Sequence, residues 1–159
     1  MRLNLFVFYA DEGPAFELWA PHEMQQRDAP ENIGALVAEM ADGFAPNLVV
    51  GHNRVSADMT LEALTTRLEA DASVLAGAEV RAGRTVAGVA GQVQITSFTH
   101  AGQQGSGPLY QMTACLLAPS DESNEHERDL IYLTGTCTVD QMAAWDPAFV
   151  DAASSVRFG

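Results

Sequence analysis

A chain of 159 residues, 47% hydrophobic and 18% charged, can bury one substantial core, and its apolar runs stop short of the ~18 residues that a membrane span needs. Eight arginines, no lysine and 21 acidic residues leave a net charge of −13, with the arginines scattered singly from Arg2 to Arg157 rather than gathered to meet a phosphate backbone. Nucleic acid and an integral membrane segment are thereby excluded, and one soluble domain with a solvated acidic surface is expected.

In chain order, LNLFVFYA reads as a strand and not as a secretory signal, because no small-residue cleavage site follows before Asp11 and Glu12. A cytoplasmic location is the corresponding expectation. DEGP is a turn, and AFELWAP is the second strand of the pair. PENIGALVAEMADGF places Ile33, Leu36, Val37 and Met40 at helical spacing with Gly43 as a stop, which predicts a helix. PNLVVGHNRV is a β-branched strand opened by Pro46. The clearest helix follows, with Leu61, Leu64, Leu68, Ala72 and Leu75 on one stripe and Glu62, Arg67, Glu69 and Asp71 off it.

From Ala78 the period changes to two, and VAGVAG supplies a hairpin turn between EVRAGRTV and QVQITSFTH. AGQQGSGP reads as a mobile loop. Two more strands, 109–118 and 130–139, flank the exposed acidic loop PSDESNEHERD. Asp146-Pro147 looks like a helix start leading to Phe149, Val150 and Ala153, and SVRF ends the chain. The expected class is α+β: one domain with an antiparallel β-sheet of about six to seven strands and two or three flanking helices.

The elements PNLVVGHNRV, the leucine-striped helix, GRTVAGVAGQVQITSF, the long strand pair and the terminal FVDAASSVRF resemble the LpqN/DcrB group of the PsbP-like, Mog-type fold. The resemblance spans Pro46 to Phe158 and leaves residues 1–43 as an added segment. It rests on order and spacing, not on a chemical motif. Proteins of this fold serve as binding proteins, envelope lipoproteins, import factors, photosystem subunits and secretion chaperones, so the resemblance implies a binding module and no activity. The chain departs from the lipoprotein members in having no signal peptide or lipobox cysteine ahead of the block, which favours the chaperone-like members.

Tests for catalytic chemistry find no constellation. His22, His52, His100 and His126 lack metal-ligand spacing, although His52 and His100 could meet across the sheet. No nucleophile elbow surrounds Ser106, and GRTVAGVAG leads into a strand, not the helix N-terminus of a phosphate loop. Asp121, Glu122, Glu125, Glu127 and Asp129 lack the spacing of a calcium loop. Cys115 and Cys137 lie in paired strands, where a register of odd against odd would put both on one face within reach of a disulfide. The alternative is two buried thiols. No catalytic residue, cofactor or metal is assigned.

Recognition remains, with Trp19, Tyr110, Met112, Tyr132 and Trp145 as candidate partner-binding side chains. The expected function is a non-enzymatic binding or chaperone-like adaptor that holds a peptide or protein partner on its sheet or sheet edge, with a link to secretion. The alternative is a carrier of a small apolar ligand, with a pocket between the sheet and the long helix. An enzyme ranks third and would need His52 or His100 beside a perturbed carboxylate. The helix expected in the N-terminal segment covers the sheet or seals a homodimer.

Overall fold

Both parities of the first strand are apolar, and the fold uses the two sides differently. In the computed structural model, which describes residues 2–10, 13–41, 43–102, 105–119 and 125–159, β1 (Leu3–Tyr9) pairs antiparallel with β2 (Ala15–Pro21). The chain's last strand, β11 (Arg157–Phe158), adds to β2, making a sheet ordered β1-β2-β11. Phe8, Phe16, Leu18 and Ala20 point inward from it and are buried.

The larger sheet is antiparallel throughout. It comprises β3 (Gln25–Arg27), β4 (Gly34–Val37), β5 (Asn47–Ser56), β6 (Glu79–Val80), β7 (Arg84–Gly88), β8 (Gly91–His100), β9 (Leu109–Leu117) and β10 (Glu127–Thr138). The order is β3-β4-β5-β10-β9-β8-β6, and β7 also pairs with β8. EVRAGRTV is thus two short strands lying along one long one, and Gly88 and Gly91 close the predicted hairpin. The helices among the described residues are α1 (Leu61–Ser73) and α2 (Met142–Ser154).

Because side chains alternate along a strand, the large sheet has two distinct faces. One carries Leu48, Val50, Val93, Ile95, Met112, Ala114, Leu116, Ile131 and Leu133, and packs against Phe149, Ala152 and Ala153 of α2 and the small sheet's inner side. This is the main core. The opposite face holds a smaller cluster of Leu64, Cys115 and Leu130, flanked by Leu61, Leu68, Leu117 and Tyr132, under α1. The α1 stripe read from the sequence thus does pack on a sheet, and Thr60 caps the helix by accepting from the Ala63 N–H at 3.1 Å.

Three expectations change, and the open choice between a disulfide and two buried thiols is settled. The segment 30–43 is not a helix: residues 34–37 form β4, with Gly34 opposite Val50 and Leu36 opposite Leu48. Residues 34–37 also form a short continuous run without a polar side chain, which fits a buried strand as well as a helix segment, and β5 offers a long edge that rewards that choice. Gly34, unfavourable in a helix, here lets Phe8 approach: a Cβ at that position would sit 3.2 Å from Phe8 Cε1. Among the described residues helices therefore number two, within the expected two or three, and strands exceed the expected six or seven, with eight in the large sheet and three in the small one.

α2 starts at Met142, ahead of Asp146, and contains Pro147. Its true start signal is a reciprocal pair: Gln141 N–H donates to Thr138 Oγ1 at 3.2 Å, and Thr138 N–H donates to Gln141 Oε1 at 2.9 Å. The two cysteines are free and lie on opposite faces, because the register sets Cys115 against Tyr132 and Cys137 against Tyr110, odd against even. A disulfide between them is geometrically excluded. Asp11 and Glu12 of the first turn, Gln103 and Gln104 of the glycine-rich loop, and Asp121 and Glu122 of the acidic loop lie outside the described residues.

Candidate functional site

The five candidate partner-binding residues do not come together. Tyr110 and Met112 are core residues, 1% and 0% exposed, because their parity on β9 points them at α2. The Tyr110 hydroxyl makes a short hydrogen bond to Asp146 Oδ1, which also accepts from Arg84 at 3.0 Å. Burial first, and the Asp146 hydrogen bond second, push the tyrosine's pKa from 10.0 to about 12. Asp146 thus locks α2 to the sheet. Trp145 is half-buried beside Phe149, with ring centroids 5.7 Å apart. Tyr132 lies across Gly51, where any side chain would strike its ring, and its hydroxyl reaches Asn32 Oδ1 at 3.3 Å.

Trp19 is the candidate on an open surface, 46% exposed on the outer side of β2. Its backbone is fixed: the N–H donates to Ser155 Oγ at 2.8 Å, at the end of α2. Beside it on β1 stand Leu3, Leu5 and Val7, all exposed, and Tyr9, 74% exposed; the register sets Leu5 directly opposite Trp19. The sequence marks these four residues as part of a strand and no more. Their signal is in the sequence: LNLFVFY sets Leu3, Leu5, Val7 and Tyr9 on one parity and Phe6 and Phe8 on the other, although only one side of a hairpin strand can enter the core.

A second feature lies at the end of this face. Tyr9, Ala10, Glu31, Asn32, Ile33, His52, Asn53 and Arg54 line an open cleft of about 790 Å³. The β5–β10 register brings His52 beside Asp129, 77 residues away, with Nε2 to Oδ1 at 2.7 Å. Arg54 lies 3.4 Å from Asp129 and 3.5 Å from Glu127. Gly13 comes so close to His52 that a Cβ there would sit 2.6 Å from Nε2. Glu31 adopts φ 64°, the left-handed region, at the turn into β4.

The other expected sites dissolve. His52 and His100 do not meet: the registers put His100 level with Leu109 and Thr138, and His52 level with Ile131, at the other end of β10. His100 Nδ1 instead accepts from the Gly102 N–H at 3.1 Å. Among the described residues no three His, Cys, Asp or Glu side chains are grouped to hold a metal ion. Between α1 and the sheet the crevice lined by Leu68, Ala72, Leu75, Thr96 and Phe98 measures about 170 Å³. That is below the ~300 Å³ at which small-ligand pockets begin, so the carrier pocket is not formed there. No described helix is long and apolar enough to cross a membrane.

No family model and no curated protein matches the sequence. Among solved structures the chain is similar to LpqN, involved in cell envelope biogenesis of Mycobacterium tuberculosis, with a TM-score of 0.75 at 10% identity over 99% of this chain and 92% of that one. It is also similar to the cyanobacterial PsbP (CyanoP) of Synechocystis sp. PCC 6803, with a TM-score of 0.61 at 13% identity over 98% of this chain and 92% of the other. The 99% coverage takes in residues of the N-terminal segment along with the block after Pro46. With hardly any sequence in common, what these proteins share is the path of the chain, and this protein has the LpqN/PsbP-like fold.

Proposed function

We propose that this protein is a non-enzymatic, chaperone-like adaptor that holds a polypeptide partner. The observation that carries the reading is the outer side of the β1–β2 hairpin, where Leu3, Leu5, Val7, Tyr9 and Trp19 stand exposed together on a chain otherwise dominated by acids. Contiguous apolar surface of this kind marks interaction sites, and aromatic residues are enriched in their centres. The occupant is a different protein rather than a second copy, because two chains of net charge −13 repel on approach. LpqN's involvement in envelope biogenesis is compatible with such a role and supports a link to exported or envelope proteins.

Neither thiol competes with this reading as a nucleophile. Burial pushes Cys115 from 9.0 to about 11, and burial together with the Asp146 charge pushes Cys137 to about 12, which leaves both as unreactive side chains. The test uses wild type and a Leu5→Ser/Trp19→Ser variant as bait in the native host, with the captured protein then purified and its affinity measured. The adaptor reading expects wild type to bind and the variant, unchanged in circular dichroism, to bind at least tenfold more weakly. A wild-type dimer in sedimentation that this variant dissolves would assign the face to self-association instead.

A further inference from the structure

β5 is ten residues long, but β4 pairs with only its first part. The Ala57 N–H donates to the His126 carbonyl at 2.9 Å, so odd-numbered positions along β5 turn their backbone groups toward β10. The Pro46 and Val50 carbonyls accept from Ala38 and Ile33 at 2.8 and 2.9 Å, so even-numbered positions turn theirs toward β4. Pairing with β4 ends at Val50. The N–H and C=O of His52 therefore point past the start of β4, where no strand of the described residues lies, and this open edge is a wall of the 790 Å³ cleft. Glu31, at φ 64°, lies in the turn that leads into β4 and lines the same cleft.

We infer that the cleft takes an extended, basic peptide segment that adds to β5 at His52 as a short strand in line with β4. The inference deepens the adaptor reading and rests on it. Main-chain hydrogen bonds to an exposed strand edge supply affinity in this mode, and alternate side chains supply selectivity. The cleft has room for several residues, and its lining is polar, which disfavours a lipid. Charge selects the sign. Arg54 is engaged by Asp129 and Glu127, Glu31 adds a carboxylate to the wall, and the whole chain carries −13, so an anion meets repulsion where a lysine or arginine side chain meets attraction. Tyr9, exposed at the rim, offers its ring face to such a cation.

The probe is an end-capped hexapeptide of alternating Lys and Val, titrated into the ¹⁵N-labelled full chain. Three controls accompany it: the Glu–Val counterpart, and two Lys–Val peptides N-methylated at every second residue in the two alternative registers, so that each lacks the donors of one backbone edge. The proposal expects shift changes confined to residues near 9–10, 31–33 and 51–55, at least tenfold weaker binding of the Glu–Val peptide, and at least tenfold weaker binding of the N-methylated register whose blocked edge faces β5. It also expects His52→Pro, which removes the N–H at the open edge, to weaken the parent peptide at least tenfold, while His52→Ala, which keeps that N–H, weakens it less than threefold. Binding of both N-methylated registers as tight as the parent would overturn strand addition without relying on any variant's folding. Shifts on the outer face of β1 and β2 alone would overturn the cleft assignment and leave the adaptor reading standing. No shift at millimolar peptide would also overturn it, with the adaptor reading then decided by the capture experiment.

Discussion

Tyr110 shows how one side chain can look like a binding residue and act as a rivet. Its hydroxyl donates to Asp146 inside the interface between β9 and α2, and Asp146 keeps a second partner in Arg84. Tyr110→Phe removes a hydrogen bond to a charged acceptor and should cost about 1.5–3 kcal/mol in denaturant unfolding. Tyr110, Cys115 and Cys137 all hold their protons more firmly folded than unfolded, at about 12, 11 and 12 against 10.0, 9.0 and 9.0. Above pH 9 the unfolded chain therefore binds fewer protons than the folded one. Stability from these groups is complete below pH 9 and falls as pH rises toward 12, and the urea midpoint measured from pH 8 to 11 should decline accordingly. Tyr110→Phe should flatten the part of that fall lying above pH 10. Neither thiol should react with Ellman's reagent at pH 8 in the folded protein, while both react in denaturant.

At the scale of elements, α2 depends on its entry and on the strand beneath it. Gln141 completes the pair with Thr138 and also donates through Nε2 to the Ala41 carbonyl at 2.9 Å, tying the helix start to the segment between β4 and β5. Gln141→Ala should lower stability by about 1–2 kcal/mol, read from thermal or urea unfolding. Gly135 on β10 lies directly under Phe149, where a Cβ would come within 2.5 Å of Cδ2. Gly135→Ala should therefore cost about 1–3 kcal/mol through overpacking of a buried ring. Gly51→Ala meets Tyr132 instead, a half-buried ring on the thinner side of the sheet that can swing outward, so its cost should be the smaller of the two. α1 was legible because a Thr60 cap and a leucine stripe agree with each other. The entry to α2 was misread because Asp146-Pro147 imitates a start signal, whereas Thr138 and Gln141, the actual one, sit at the end of what reads as a strand.

For the molecule as a whole, a net charge of −13 is self-repelling, and salt screens it. Raising sodium chloride from about 20 to 500 mM should raise Tm by a few degrees, while binding of a basic peptide in the cleft should weaken over the same range. By itself the sequence determined the acidic α+β character, the long helix, the hairpins and the order of elements from Pro46 onward, because these follow from local periodicity, turn chemistry and charge. Tertiary structure decided the rest. Residues 34–37 became a strand only because β5 had an edge to pair, and Tyr110 and Met112 went inward while Leu5 and Trp19 stayed outside because pairing fixes which parity of a doubly apolar strand meets the core. His52 met Asp129, and Cys115 parted from Cys137, through strand register alone, which is a relation between residues far apart in the chain that no local pattern encodes.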